Sequence, residues 1–143
     1  MTDDDLFLLI GQLQRHEGNR LRPYTDTVGK LTIGVGRNLT DVGISDEESD
    51  YLLANDIQRA RDDLRRTFPW FAALDSVRQA AMVNLCFLGL GHLLTFEKAL
   101  TAMAHGQYGQ ASDEFYDSKW AAQVGMRASE LCAQIRTGQW GPL

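Results

Sequence analysis

The chain has 143 residues, a net charge of −5 and a pI near 5.1. It is the length of a single domain and long enough to bury a core without a metal or a disulfide. Its 44% hydrophobic and 23% charged residues exclude wholesale disorder, and its acidic balance argues against a nucleic-acid partner, which needs a basic face.

In chain order, the first segment, from Thr2 to about Glu17, reads as a helix. Thr2 with Asp3, Asp4 and Asp5 offers a cap and negative charge at its start. Leu6, Leu9, Ile10 and Leu13 fall on one face, and Gly18-Asn19 stops it. Glycines then interrupt short β-prone runs. Leu31, Ile33 and Val35 alternate with Thr32 and Gly34 as in a strand. Tyr24 to Thr27 is its partner, turned at Val28-Gly29-Lys30. Helices return at the capping box Ser45-x-x-Glu48, and Pro69 ends the helix it starts. The segment from Leu74 to Leu88 is apolar nearly all round and predicts a central buried helix. Shorter helices are expected at about 95–105, 109–118 and 126–137.

The pattern predicts an α+β fold in a single domain, 1–143. It has an N-terminal helix at about 3–17, a small β-lobe at about 18–44 and a helical lobe at about 45–143. A ligand cleft is expected between the unequal lobes.

Several features receive structural readings. Cys86 and Cys132 lie in apolar helical contexts without metal-type spacing, so two free buried thiols are expected. His16, His92 and His105 share no ligand spacing, so neither a metal nor a cofactor is expected. Trp70, Trp120 and Trp140 are assigned to core packing rather than sugar stacking, and the charge run from Arg59 to Arg66 to a solvated face. The apolar run Leu6 to Ile10 is too short for a bilayer span and lacks the basic start of a secretion signal, so stable membrane insertion is not expected.

The chemistry concentrates in three residues. Glu17 ends the first helix, where the helix dipole disfavours a negative charge. Asp26 sits between Thr25 and Thr27, a polar setting that suits one. Two carboxylates in contrasting settings are what acid-assisted glycoside hydrolysis needs. Taken singly, each residue also has an ordinary reading: Glu17 as a solvated helix end, Asp26 as a turn residue, Thr32 as a strand residue.

The spacing Glu17, eight residues, Asp26, five residues, Thr32, with Leu21, Tyr24 and Thr32-Ile33-Gly34-Val35-Gly36 around it, resembles the bacteriophage lysozymes of glycoside hydrolase family 24. The resemblance resumes at Leu74-Asp75-x-Val77-Arg78, Asn84-x-x-Phe87, Ser118-Lys119-Trp120, Arg127-Ala128 and Arg136-Thr137-Gly138-x-Trp140. It therefore covers residues 7 to 140 or so. It implies a lysozyme-like fold and an endo-acting muramidase that hydrolyses the β-1,4 bond between N-acetylmuramic acid and N-acetylglucosamine in peptidoglycan. Glu17 would be the proton donor, Asp26 the residue that positions or activates water, and Thr32 the hydroxyl that holds it. Arg127 would pair with the glutamate, and Asn84 and Phe87 would line the substrate cleft. The resemblance further implies a monomer that lyses the phage host. It would wait in the host cytoplasm and reach the periplasmic cell wall with the help of a holin. A lytic transglycosylase and an inactive wall-binding or tail-associated module are the alternatives. Three departures stand out: Arg37 where the best-known member has an ion-paired histidine, Leu88 in place of glutamine, and Gly125 in place of proline.

Overall fold

The structure, a computed structural model, describes residues 1–142. The chain divides into two compact units, Met1–Leu52 and the remainder from Leu53 on.

In the first unit, α1 spans Asp3–Glu17. Its start is a reciprocal capping box: the Asp5 amide donates to Thr2 Oγ1 at 3.2 Å and the Thr2 amide donates to Asp5 Oδ2 at 2.9 Å. These bonds hold the Asp5 carboxyl below its ordinary range. Gly18 closes the helix in a positive-φ conformation, its amide on Gln14 O, so Glu17 is the last helical residue. No residue of α1 is buried, and Leu6, Leu9, Ile10 and Leu13 are exposed.

Three strands follow in the order β1-β2-β3: β1 at Arg20–Thr25, β2 at Leu31–Gly34 and β3 at Arg37–Asn38. All pairs are antiparallel, with Tyr24 opposite Thr32, Thr25 opposite Leu31, and Ile33 opposite Arg37. The expected hairpin is present. Its first strand starts earlier than the sequence suggests because Pro23 is tolerated on a sheet edge, and the register is irregular between Arg20 and Tyr24. β3 was not anticipated: two residues carry no periodicity. Among residues 1–52, only Thr32 is buried. This unit is therefore held by polar contacts rather than by an apolar core.

The 22-residue α2, Asp46–Thr67, begins in this unit and continues into the second. Its capping box is the expected one: the Glu48 amide donates to Ser45 Oγ at 3.1 Å and the Ser45 amide donates to Glu48 Oε2 at 2.8 Å.

In the second unit, a 3₁₀ turn at Phe71–Ala73 delivers Phe71 into the core, and α3 spans Ser76–Cys86. The predicted all-round burial of this central helix holds for Val77, Ala81, Met82, Val83, Leu85 and Cys86, whereas Asn84 and the following Phe87 are exposed. The helix expected from residue 95 is α5, Glu97–Ala104, preceded by a single turn, α4, at Leu90–Leu93. Helix α6, Tyr108–Tyr116, and helix α8, Met126–Thr137, match the pattern. Between them lies α7, Lys119–Val124, which Ser118 caps. Phe71, Phe115, Leu64, Met82, Leu85, Leu93, Met103 and Ile135 are fully buried. Each contributes roughly 1.5–3 kcal/mol by leaving water.

Cys86 and Cys132 are free and buried as expected, and burial pushes the Cys132 thiol up to about 11. Trp120 is buried edge-on to Phe96, and Trp70 stacks on Phe68. Trp140 departs from the core-packing expectation: it is 64% exposed, beyond the end of α8. The run from Arg59 to Arg66 is a solvated face bearing pairs three residues apart, among them Arg59–Asp56 and Arg66–Asp63.

Arg78 fastens α3 to the end of α8. Its Nε donates to Ile135 O at 2.7 Å, one Nη to Arg136 O at 3.0 Å and the other to Asp75 Oδ1 at 2.8 Å. The guanidinium also lies 3.9 Å from the centre of the Tyr108 ring. It thus satisfies carbonyls that a helix end leaves without partners. Arg78→Met keeps the aliphatic stem and removes the donors. We expect urea denaturation to show a loss of about 1.5–3 kcal/mol, the range for hydrogen bonds to a charged group.

Candidate active site

The β1–β2 turn is built around the Asp26 carboxylate. Its Oδ1 accepts the Val28 amide at 3.0 Å and the Lys30 amide at 2.8 Å, while the Asp26 amide donates to Lys30 O at 2.9 Å. This is the local hydrogen bonding that favours aspartate at turns. The ordinary reading of Asp26 as a turn residue is therefore correct, but it uses a single oxygen. Oδ2 has no hydrogen-bond partner among the described residues. Lys30 itself reaches Asp41 at 3.1 Å.

Thr32 stands two residues further on, opposite Tyr24. It is 4% exposed, and its hydroxyl donates to Lys30 O at 3.0 Å. Asp26 and Thr32 thus flank the backbone of one residue, Lys30. The hydroxyl spends its hydrogen on the carbonyl and keeps its lone pairs. A free carboxylate oxygen and such a hydroxyl are both acceptors.

Glu17 enters from the end of α1 and is exposed. Its carboxyl lies against Gly36, at the bend between β2 and β3. A Cβ at that position would stand 3.3 Å from Glu17 Oε2 and 3.6 Å from its Cγ and Cδ. Gly36 has φ +73°, so both the backbone conformation and the close approach call for glycine.

Arg37 follows directly. It makes a two-pronged bond to Glu48, at 2.7 and 2.6 Å, and a further one to Gly43 O at 3.2 Å. The Arg37 bond, followed by the Ser45 amide, holds the Glu48 carboxyl down at about 2. Because this value is depressed, the pair's contribution is complete above the ordinary glutamate range and fades as pH falls toward 2. Gly36, Arg37, Val42, Ile44, Glu48 and Tyr51 border a groove of about 810 Å³ in this unit. The sequence reading missed Gly36 and Glu48 as site neighbours. Glu48 was legible only as a cap, since nothing local signals a partner eleven residues away.

In the second unit, Arg127, Asn84 and Phe87 come together. Arg127 Nε and Nη2 donate to Asn84 Oδ1 at 3.2 and 2.8 Å, and Nη2 also donates to Asn84 O at 3.1 Å. These three residues, with Leu53, Ile57 and Val83, line a cavity of about 510 Å³.

Comparison with known proteins shows the family of the chain. The family model for phage lysozyme matches residues 14–136. The chain is 30% identical to the pre-baseplate central spike protein Gp5 of Enterobacteria phage T4, over 96% of this chain and 29% of the spike protein, so it spans under a third of that relative. It is 25% identical to probable T4-type lysozyme 1 of Dictyostelium discoideum, over 88% of this chain and 92% of that protein. It is 26% identical to probable T4-type lysozyme 2 of the same organism, over 91% and 94%. A family match across most of the chain, on an α+β architecture, makes this chain a member of the phage lysozyme family, the family 24 glycoside hydrolases, and a lysozyme-type hydrolase of peptidoglycan.

Proposed function

We propose that this lysozyme cleaves the β-1,4 bond between N-acetylmuramic acid and N-acetylglucosamine, with Glu17 as general acid and Asp26 and Thr32 holding the attacking water. The reading is supported by Asp26 and Thr32 both bonding the backbone of Lys30, which leaves one Asp26 oxygen and the Thr32 lone pairs without a protein partner among the described residues. A water that gives one hydrogen to Asp26 Oδ2 and the other to Thr32 Oγ1 keeps a lone pair for the anomeric carbon. Asp26 then takes the proton as the C–O bond forms, while Glu17 protonates the leaving oxygen.

Arg127, already oriented by Asn84, is the cation that pairs with Glu17 and steadies it, and Phe87 and Asn84 form substrate-binding wall. The whole chain acts as one catalytic domain and needs no cofactor. Its biological role is phage-induced lysis: a monomer held in the host cytoplasm gains the periplasmic wall through a holin. No helix among the described residues is long and apolar enough to cross a membrane.

Glu17→Gln is expected to fold like the parent and to lose ~10²–10⁴-fold in lytic rate. A turbidity assay on permeabilised Gram-negative cells measures this, and activity within a few-fold of the parent would remove Glu17 from the acid role.

Thr32→Val is nearly isosteric. Lys30 O retains the Asp26 amide as a donor, so no buried carbonyl is orphaned. We expect a stability change of about 1 kcal/mol or less together with an activity loss of tenfold or more, roughly the value of one lost water contact in the transition state. A variant that loses stability but keeps its rate makes Thr32 a strand residue only.

Direct attack by that water inverts the anomeric carbon. Proton NMR of a peptidoglycan fragment, read before mutarotation, should show the α-anomer first. An initial β-anomer indicates a covalent intermediate on Asp26, and anhydro-muramic ends indicate a transglycosylase.

A further inference from the structure

We propose that Arg37 and Glu48 are positioning residues for the general acid: their ion pair holds the Gly36 backbone against the Glu17 carboxyl. The inference rests on Glu17 being the proton donor.

Glu17 is exposed, and its carboxyl makes no side-chain hydrogen bond among the described residues within its own unit. A free glutamate side chain has rotamer entropy of roughly 1.5–2 kcal/mol to lose on being fixed. A proton donor must nevertheless sit in line with the leaving oxygen, since a misplacement of about 1 Å can cost ~10²-fold in rate. Gly36 borders it on one side: a Cβ at Gly36 would stand 3.3 Å from Oε2 and 3.6 Å from Cδ and Cγ.

A surface limits a side chain only if it is itself fixed. Gly36 lies at a bend whose far strand, β3, has two residues and pairs through Thr32–Asn38 and Ile33–Arg37. So short a ladder is weak alone. Arg37 supplies what is missing. Its planar fork grips both Glu48 oxygens and closes the following loop through Gly43 O. Glu48 is in turn fixed by the Ser45 capping box on the first turn of α2. The chain of contacts runs from α2 through Glu48 and Arg37 to Gly36 and ends on the Glu17 carboxyl. Lysine offers no such fork, so the geometry requires arginine.

The pair is solvent-accessible, with side chains 40% and 41% exposed. Exposed pairs add little to stability. A large effect on turnover from breaking it therefore reports positioning rather than folding.

The experiment measures kcat and KM separately on soluble peptidoglycan fragments for Arg37→Met, Arg37→Lys, Glu48→Gln and the double variant Arg37→Met/Glu48→Gln, alongside Glu17→Gln. Circular dichroism melts confirm that each is folded at the assay temperature. We expect kcat to fall about tenfold or more in Arg37→Met and Glu48→Gln, with KM within about twofold. The double variant should be no worse than either single one, and Arg37→Lys should recover only part of the loss. Gly36→Ala both strains the positive-φ backbone and sets a Cβ 3.3 Å from Glu17 Oε2, and should also lower kcat. The inference is overturned if kcat in the folded Arg37 and Glu48 variants stays within about twofold of the parent, or if their whole loss lies in KM. If Arg37→Met does not fold, Glu48→Gln decides by the same criterion. An inactive Glu17→Gln beside fully active Arg37 and Glu48 variants defeats this inference alone. An active Glu17→Gln defeats the acid assignment itself.

Discussion

The hydrogen bonds from the Val28 and Lys30 amides to one oxygen of Asp26 are the interaction on which the β-lobe depends. They shape the turn that sets Tyr24 opposite Thr32 and Thr25 opposite Leu31. Side chains alternate along a strand, so a one-residue slip would send the Thr32 hydroxyl to the other face. By anchoring the turn, Asp26 decides where Thr32 points. Aspartate can do this because its short side chain reaches its own backbone two and four residues ahead with one oxygen and leaves the other free. Glutamate would place the carboxylate one methylene too far for that geometry.

The two units are stabilised by different physics. From Leu53 on, stability comes from fully buried apolar side chains such as Phe71, Phe115, Met82 and Ile135, with Arg78 satisfying carbonyls at the end of α8 and the buried Ser112 hydroxyl donating to Cys132 O. Residues 1–52 bury one side chain, and it carries a hydroxyl. There the order rests on capping boxes and the Asp26 turn. Elements with few buried apolar contacts lie at the low-stability end of a fold and open most readily. The proposed acid and the proposed water-holding pair both belong to this unit.

Much of the helical framework was legible in the sequence. Thr2 and Ser45 sit where capping boxes form, and the periodicities over 45–67 and 126–137 mark α2 and α8 closely. Elements that lack a period were not legible. The six residues of α7, the four of α4 and the two of β3 are too short to show one. Trp140 was misread because a large aromatic near the end of a helical pattern usually packs inward, whereas here it lies past the chain's last helix. In the candidate site, Glu17, Asp26 and Thr32 are proposed on a spacing that resembles the phage lysozymes, each being ordinary when taken singly. The Lys30 backbone that relates Asp26 to Thr32, and the Gly36 contact that limits Glu17, are products of tertiary structure and leave no pattern in the sequence.

Several polar residues of the small unit serve twice. Asp26 shapes a turn with one oxygen and presents the other. Glu48 caps α2 and also holds Arg37. Thr32 fills the single buried position and offers lone pairs at the same time. This follows from size: a lobe of about fifty residues has too little interior to separate the groups that fold it from the groups that react. Removing such a side chain entirely therefore mixes two losses, and an alanine at Asp26 would cost the turn as well as the proposed chemistry. Substitutions that keep one function and delete the other, as asparagine does at Asp26 by retaining the acceptor for Lys30 while losing the charge, are the ones that can tell structure from catalysis here.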